Sequence, residues 1–88
     1  MAYRISRHAQ TEIERRGIPL YLVESVLTNP QQIVLEKDGR KAYQSQLDFG
    51  DGKVFLLRVI VADDIEPTVV ITEYKTSRIE KYCSCSYW

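Results

Sequence analysis

The chain holds a single histidine, His8, in the run Arg7-His8-Ala9-Gln10-Thr11-Glu12-Ile13-Glu14-Arg15-Arg16-Gly17-Ile18. An imidazole titrates near neutral pH and can take or give a proton there. Arg4, Arg7, Arg15 and Arg16 flank it, and guanidinium suits phosphate recognition. A proton-transfer group among phosphate binders is what metal-free cleavage of RNA requires. The competing role is a surface or capping histidine, and the residues by themselves favour it.

Arg58 is the second anomaly. It shares a strand face with Val54, Leu56 and Ile60 in the most apolar run of the chain, and a lone buried arginine is costly unless paired or facing a cleft. Two readings stand side by side: a structural partnership with an acid such as Glu73, or a phosphate-binding arginine on the open face of a sheet. Thr72 and Tyr74 share one face of the last strand, with Lys75 directly after; their hydroxyls meet either core or substrate. His8, Glu12 and Arg15 fall on one helix face at i, i+4 and i+7. Glu12 there is either a simple local partner or the group that orients the imidazole, and Arg16 lies nearer the core.

Other chemistry has no residues to carry it. There is no phosphate-cradling glycine loop, no metal-ligand cluster, no HExxH and no Ser/His/Asp set. Asp48, Asp51, Asp63, Asp64 and Glu66 fall mostly in two loops. An enzyme of this sequence would work without metal or cofactor.

The elements that must position these groups are legible. Ser6 suits an N-cap, Ala9 and Ile13 give an inward stripe, and Gly17 stops the first helix. Pro19 opens a second, with Leu20, Val23, Val26 and Leu27 at helical spacing, and Asn29-Pro30 ends it. Strands follow: Ile33 to Glu36, then the turn signal Asp38-Gly39, then Arg40 to Phe49. Val54 to Val61 reads as a central strand covered on both faces, and Thr68 to Tyr74 as the last strand. Tyr3-Arg4-Ile5 reads as a weak edge strand, and Ser77-Arg78-Ile79-Glu80 as a capping box opening a short C-terminal helix. The expected architecture is α+β, a helical hairpin on one face of a three- to four-stranded antiparallel sheet. Residues 1–82 form one expected domain, and 83–88 a tail with free thiols at Cys83 and Cys85.

Twelve Lys and Arg balance twelve Asp and Glu, for a formal charge of zero, which counts against a strong nucleic-acid binder. The distribution says more. Four arginines lie in residues 1–20, and Lys75, Arg78 and Lys81 in residues 74–88. If the two ends meet they form a basic surface, which makes Arg78 and Lys81 substrate-binding candidates; scattered solvated charges are the alternative. No apolar run approaches the ~20 residues of a membrane span, no signal peptide is expected, and a cytoplasmic protein is the default.

Taken in order, Arg7-His8-Ala9, Glu12, Arg15-Arg16-Gly17-Ile18, Val23, Val26-Leu27, Asn29-Pro30, Asp38-Gly39-Arg40, Tyr43, Leu57-Arg58-Val59 and Val69 through Ser77 resemble a small bacterial family of RelE/ParE-type toxins akin to BrnT. The resemblance spans nearly all of the chain up to Tyr82. It implies a microbial-RNase-like fold and the toxin half of a type II toxin–antitoxin pair, neutralised by a cognate antitoxin. RelE-like members cleave mRNA, commonly on the ribosome, without metal; ParE-like members share the fold but act on gyrase. The positions matching the family pattern are His8, Arg15, Arg58, Thr72, Tyr74 and Lys75. The neutral charge and the Cys83 to Trp88 tail depart from it. On this expectation His8 or Lys75 is the base, Arg58 and Arg15 stabilise the phosphate, and Tyr74 or His8 protonates the leaving oxygen. Thr72, Arg78 and Lys81 then bind substrate. The other expectation is a non-catalytic module or ParE-like toxin that binds a protein. No membrane partner is expected, and a homodimer is left open.

Overall fold

Helix α1 (Arg7–Arg16) is fixed at both ends by its own sequence. The Ser6 hydroxyl accepts the Ala9 N–H at 3.1 Å, satisfying one of the donors a helix start leaves unpaired. Gly17 adopts φ 64° and ψ 33°, a left-handed conformation that costs a glycine little. Its N–H meets the Glu14 carbonyl, and the Ile18 N–H meets that of Ile13, the paired closure that also buries Ile13 and Ile18 together. Helix α2 (Leu20–Thr28) follows, with Pro19 as its extended N-cap rather than its first helical residue. Val23, Val26 and Leu27 are buried, whereas Leu20, expected on the same stripe, is 41% exposed at the helix's first position.

The computed structural model describes residues 3–50 and 52–82. Asp51 and the tail with Cys83 and Cys85 lie outside the described residues. After α2 come β2 (Gln32–Leu35), β3 (Lys41–Asp48), β4 (Val54–Ala62), β5 (Thr68–Thr76) and the four-residue α3 (Ile79–Tyr82); β1 (Tyr3–Ile5) precedes α1. Between β2 and β3, Asp38 (φ 62°) and Gly39 (φ 73°) both take left-handed backbone, the twist a tight hairpin needs.

The sheet has five strands in the order β1-β5-β4-β3-β2. It is therefore mixed, and the expected antiparallel sheet of three to four strands is corrected: β1 pairs parallel with β5, Tyr3 opposite Thr68 and Ile5 opposite Val70. The Ser6 N–H donates to the Val70 carbonyl, and the Tyr3 hydroxyl to Glu24 on α2 at 3.1 Å. These contacts join the two ends of the chain, so no local pattern encodes them.

Both long helices cover one face. Ala9, Ile13, Ile18, Val23, Val26 and Leu27 pack with Tyr43, Leu57, Val59, Val61 and Val70 as one core. The opposite face (hereafter the far face) carries the alternate residues of each strand. One irregularity sets its composition. Ile60 pairs with Thr72 but Val61 with Val70, so Ile71 is an extra residue, a β-bulge that resets which side of the sheet the strand presents. Val70 thereby enters the core while Thr72, Tyr74 and Thr76 face the far side.

Candidate functional site on the far face

Arg58 sits mid-strand on the far face and is 3% exposed. Strand register brings Gln44 of β3 and Tyr74 of β5 directly opposite it. Its Nε donates to Gln44 Oε1 at 2.7 Å and its Nη1 to the Tyr74 hydroxyl at 2.6 Å. Glu36, just past β2, places a carboxylate oxygen 3.3 Å from Nη2. Gln44 in turn donates to Gln32 at 2.7 Å. A cation in low dielectric needs this set of hydrogen-bonding neighbours.

Glu36 and Gln44 are the residues sequence reasoning missed, and the Glu36 carboxylate is one-third exposed. The acid expected to pair with Arg58, Glu73, is instead on the other side of the sheet, opposite Val59. Odd and even positions of a strand face opposite ways, so an arginine at 58 and an acid at 73, whose neighbour 74 is the true cross-strand partner, cannot meet.

The expected constellation is divided by the sheet. Arg58, Thr72 and Tyr74 share the far face, Thr72 lying opposite Ile60 two pairs along from Arg58. His8 is exposed on α1, in the layer against the other face. The joint catalytic grouping of His8 with Arg58 and Tyr74 is thus corrected: α1 packs on the side of β5 that Tyr74 turns away from. Lys75 also faces the helical side, its Nζ 4.6 Å from the Phe49 ring centre and 4.8 Å from that of Phe55. Arg15 is held by Glu12 at 2.7 and 2.8 Å and does not reach Arg58. Arg78 and Lys81 line a groove of about 480 Å³ with Ser77 and Ile79, beyond the end of β5.

Under α1 lies a second charged cluster. Arg16 donates to the backbone carbonyl of Glu73 and pairs with Glu12 at 2.8 Å, in keeping with its expected inward position. The hydrogen bond from Arg15 holds the Glu12 carboxyl down at about 2, with the charges of Arg15, Arg16 and His8 assisting against the effect of burial. Glu73 is fully buried, and neither carboxylate oxygen has a hydrogen-bond partner. Burial lifts its pKa to about 7. The two chain ends do meet here, but Arg15 and Arg16 are engaged by Glu12 and Glu73.

No group of three or more His, Cys, Asp and Glu among the described residues is arranged to hold a metal ion. None of the described helices is long and apolar enough to cross a membrane.

Fold and site together define an α+β protein: two helices on one sheet face, and a buried arginine with a carboxylate and a phenol on the other. The chain belongs to a family described as a domain of unknown function (DUF4258), whose model matches residues 5–75. Glu36, Arg58, Tyr74 and Lys75 fall inside the match, and Arg78 and Lys81 outside it. No curated protein and no solved structure matches the chain.

Proposed function

We propose that this chain is the toxin half of a type II toxin–antitoxin pair, a RelE-like fold that cleaves RNA without metal at the far-face cluster. The observation that carries the reading is the convergence of Glu36, Tyr74 and Gln44 on the one guanidinium of Arg58. The resemblance to RelE/ParE-type toxins supports it. Glu36, the partly exposed carboxylate, takes the proton of a ribose 2′-OH; the 2′-oxygen attacks the adjacent phosphorus. Arg58 stabilises the charge that develops on the phosphoryl oxygens, an effect that often dominates such sites. The bond to the 5′-oxygen breaks, and Tyr74 protonates that oxygen. Tyr74 is the acceptor in its bond with Arg58, so its proton is not used in that bond. The products are a 2′,3′-cyclic phosphate and a 5′-hydroxyl. A cognate antitoxin would cover the far face, and a cytoplasmic site of action goes with this role.

The test is incubation of the purified chain with RNA, free and ribosome-bound, in EDTA. Cyclic-phosphate ends are expected. Tyr74→Phe should slow cleavage by about 10²-fold or more, whereas His8→Ala should leave it unchanged. No cleavage of either RNA by the wild type sinks the reading.

A second reading has one observation behind it: Nε, Nη1 and Nη2 of Arg58 all have partners within the chain. A phosphate must compete with Glu36, whereas a protein-binding module needs no such exchange. Growth arrest that persists undiminished in a folded Tyr74→Phe variant would favour that role.

A further inference from the structure

The sheet has two edges, and the chain builds them differently. β1 is three residues long, with the exposed Arg4 at its centre, the kind of short, charged edge that resists pairing with another strand. β2 closes the other side of the sheet. Its residues Gln32, Ile33, Val34 and Leu35 include no charge and no proline. Ile33 is 50% and Leu35 75% exposed. Both stand on the helical side, Ile33 opposite the core residue Tyr43 and Leu35 opposite Lys41, while α2 packs over β3 and β4.

The backbone of this edge has a definite pattern. The Glu36 N–H donates to the Arg40 carbonyl at 2.8 Å, so the backbone of residue 36 points into the sheet. Along an antiparallel strand these directions alternate. Val34 therefore points inward too, and the N–H and C=O of Ile33 and Leu35 point out from the edge. A strand that pairs here must exchange its bonds with those two residues. β2 itself meets that need. Run antiparallel to itself about Val34, it sets Ile33 opposite Leu35 of a second copy, and Leu35 opposite that copy's Ile33. The apolar side chains then meet as cross-strand pairs on the helical side. On the far face Val34 meets Val34, and Gln32 meets Glu36, whose backbone is still extended at φ −115° and ψ −179°. No two like charges lie opposite each other, and a net charge of zero adds no long-range repulsion between copies. We propose that the chain forms a two-fold dimer through β2, joining two five-stranded sheets edge to edge. A two-fold contact requires a self-complementary surface, and residues 32–36 supply one about Val34. The pairing places Gln32 of each copy beside Glu36 of the other, so the two Arg58 clusters share one continuous far face. The dimer does not depend on whether that face cleaves RNA.

The experiment uses the intact chain. Sedimentation from about 1 µM to about 1 mM should show the mass doubling as concentration rises. Leu35→Lys charges a position that is already exposed, as unpaired edge strands commonly do, and should raise the dissociation constant about tenfold or more. Its circular dichroism should match that of the wild type. Crosslinking reads the register, in a chain carrying Cys83→Ser and Cys85→Ser. Val34→Cys lies on the two-fold axis, where a non-hydrogen-bonded pair brings Cα atoms to about 4.5 Å, within disulfide reach. Leu35→Cys is more exposed, but its two copies would lie about 8 Å apart, too far to bridge. Mild oxidation should therefore join Val34→Cys chains about tenfold faster than Leu35→Cys chains. A chain that stays monomeric throughout overturns the proposal. So does a dimer indifferent to Leu35→Lys, or crosslinking at Leu35→Cys that equals or outpaces that at Val34→Cys.

Discussion

Arg58 and Glu73 are two buried charged residues on neighbouring strands, facing opposite sides of one sheet, and they are treated in opposite ways. Arg58 is surrounded: Gln44, Tyr74 and Glu36 all meet its guanidinium. Glu73 is left alone, with both carboxylate oxygens unpartnered, and Arg16 meets its backbone carbonyl instead. The two sites handle the cost of burying charge differently. One retains the charge and supplies it with neighbours; the other shifts its group toward the neutral form by raising the pKa. The difference follows from what each can do. An arginine does not lose its proton within the accessible pH range, so only partners can stabilise it, whereas a carboxyl has a neutral form to fall back on.

The contrast is broken most severely at Arg58. Arg58→Met should destabilise the fold by about 3–5 kcal/mol, because Glu36, Gln44 and Tyr74 lose the partner they share. Chemical denaturation measures this, and a loss under 1 kcal/mol would mean the network is incidental. Arg58→Lys should recover little, since an ammonium cannot reproduce the planar fork.

Glu73 gives the next effect, and its sign is opposite to that of a paired acid. Its folded pKa, about 7, is above the ordinary 4.5, so the stability it allows is complete below pH 4.5 and is lost as pH rises through 7. The shift corresponds to about 3 kcal/mol between those limits. Glu73→Gln should flatten the fall in stability between pH 5 and 8. A slope equal to that of the wild type would show that the carboxyl finds a partner when it ionises. Glu12 supplies the smallest change and the reverse sign. Its pKa is lowered to about 2, so its contribution is present above 4.5 and lost only as pH falls through 2. Glu12→Gln should therefore weaken the protein modestly at neutral pH and not at all in strong acid.

These two residues also mark what a sequence can and cannot say. Arg58 was conspicuous because a charge interrupts an apolar run, a local fact. Alternation puts Thr72 and Tyr74 on one face of the last strand, but that Tyr74, Gln44 and Glu36 all meet Arg58 depends on how the strands register. A partnership of Arg58 with Glu73 is excluded by register, since Tyr74 lies opposite Arg58, and register is not written in either strand alone. The caps of α1 at Ser6 and Gly17 and the Asp38-Gly39 turn were readable, since each rests on a few consecutive residues. His8 was drawn to the site by its chemistry, yet which side of a sheet a helix covers is a property of the whole chain. The parallel β1 and the bulge at Ile71 are likewise long-range.

That bulge has a consequence for how the chain tolerates change in length. Ile71 works as a parity shift: on one side of it β5 counts core residues, and on the other it counts far-face residues. A one-residue deletion there would keep two strands' worth of hydrogen bonding available, yet force a choice between withdrawing Val70 from the interior and turning Tyr74 against the helices. Substitutions at Ile71 are cheap by comparison, because side-chain identity does not alter the count. What selection must preserve at this position is a number of residues, not a kind of residue.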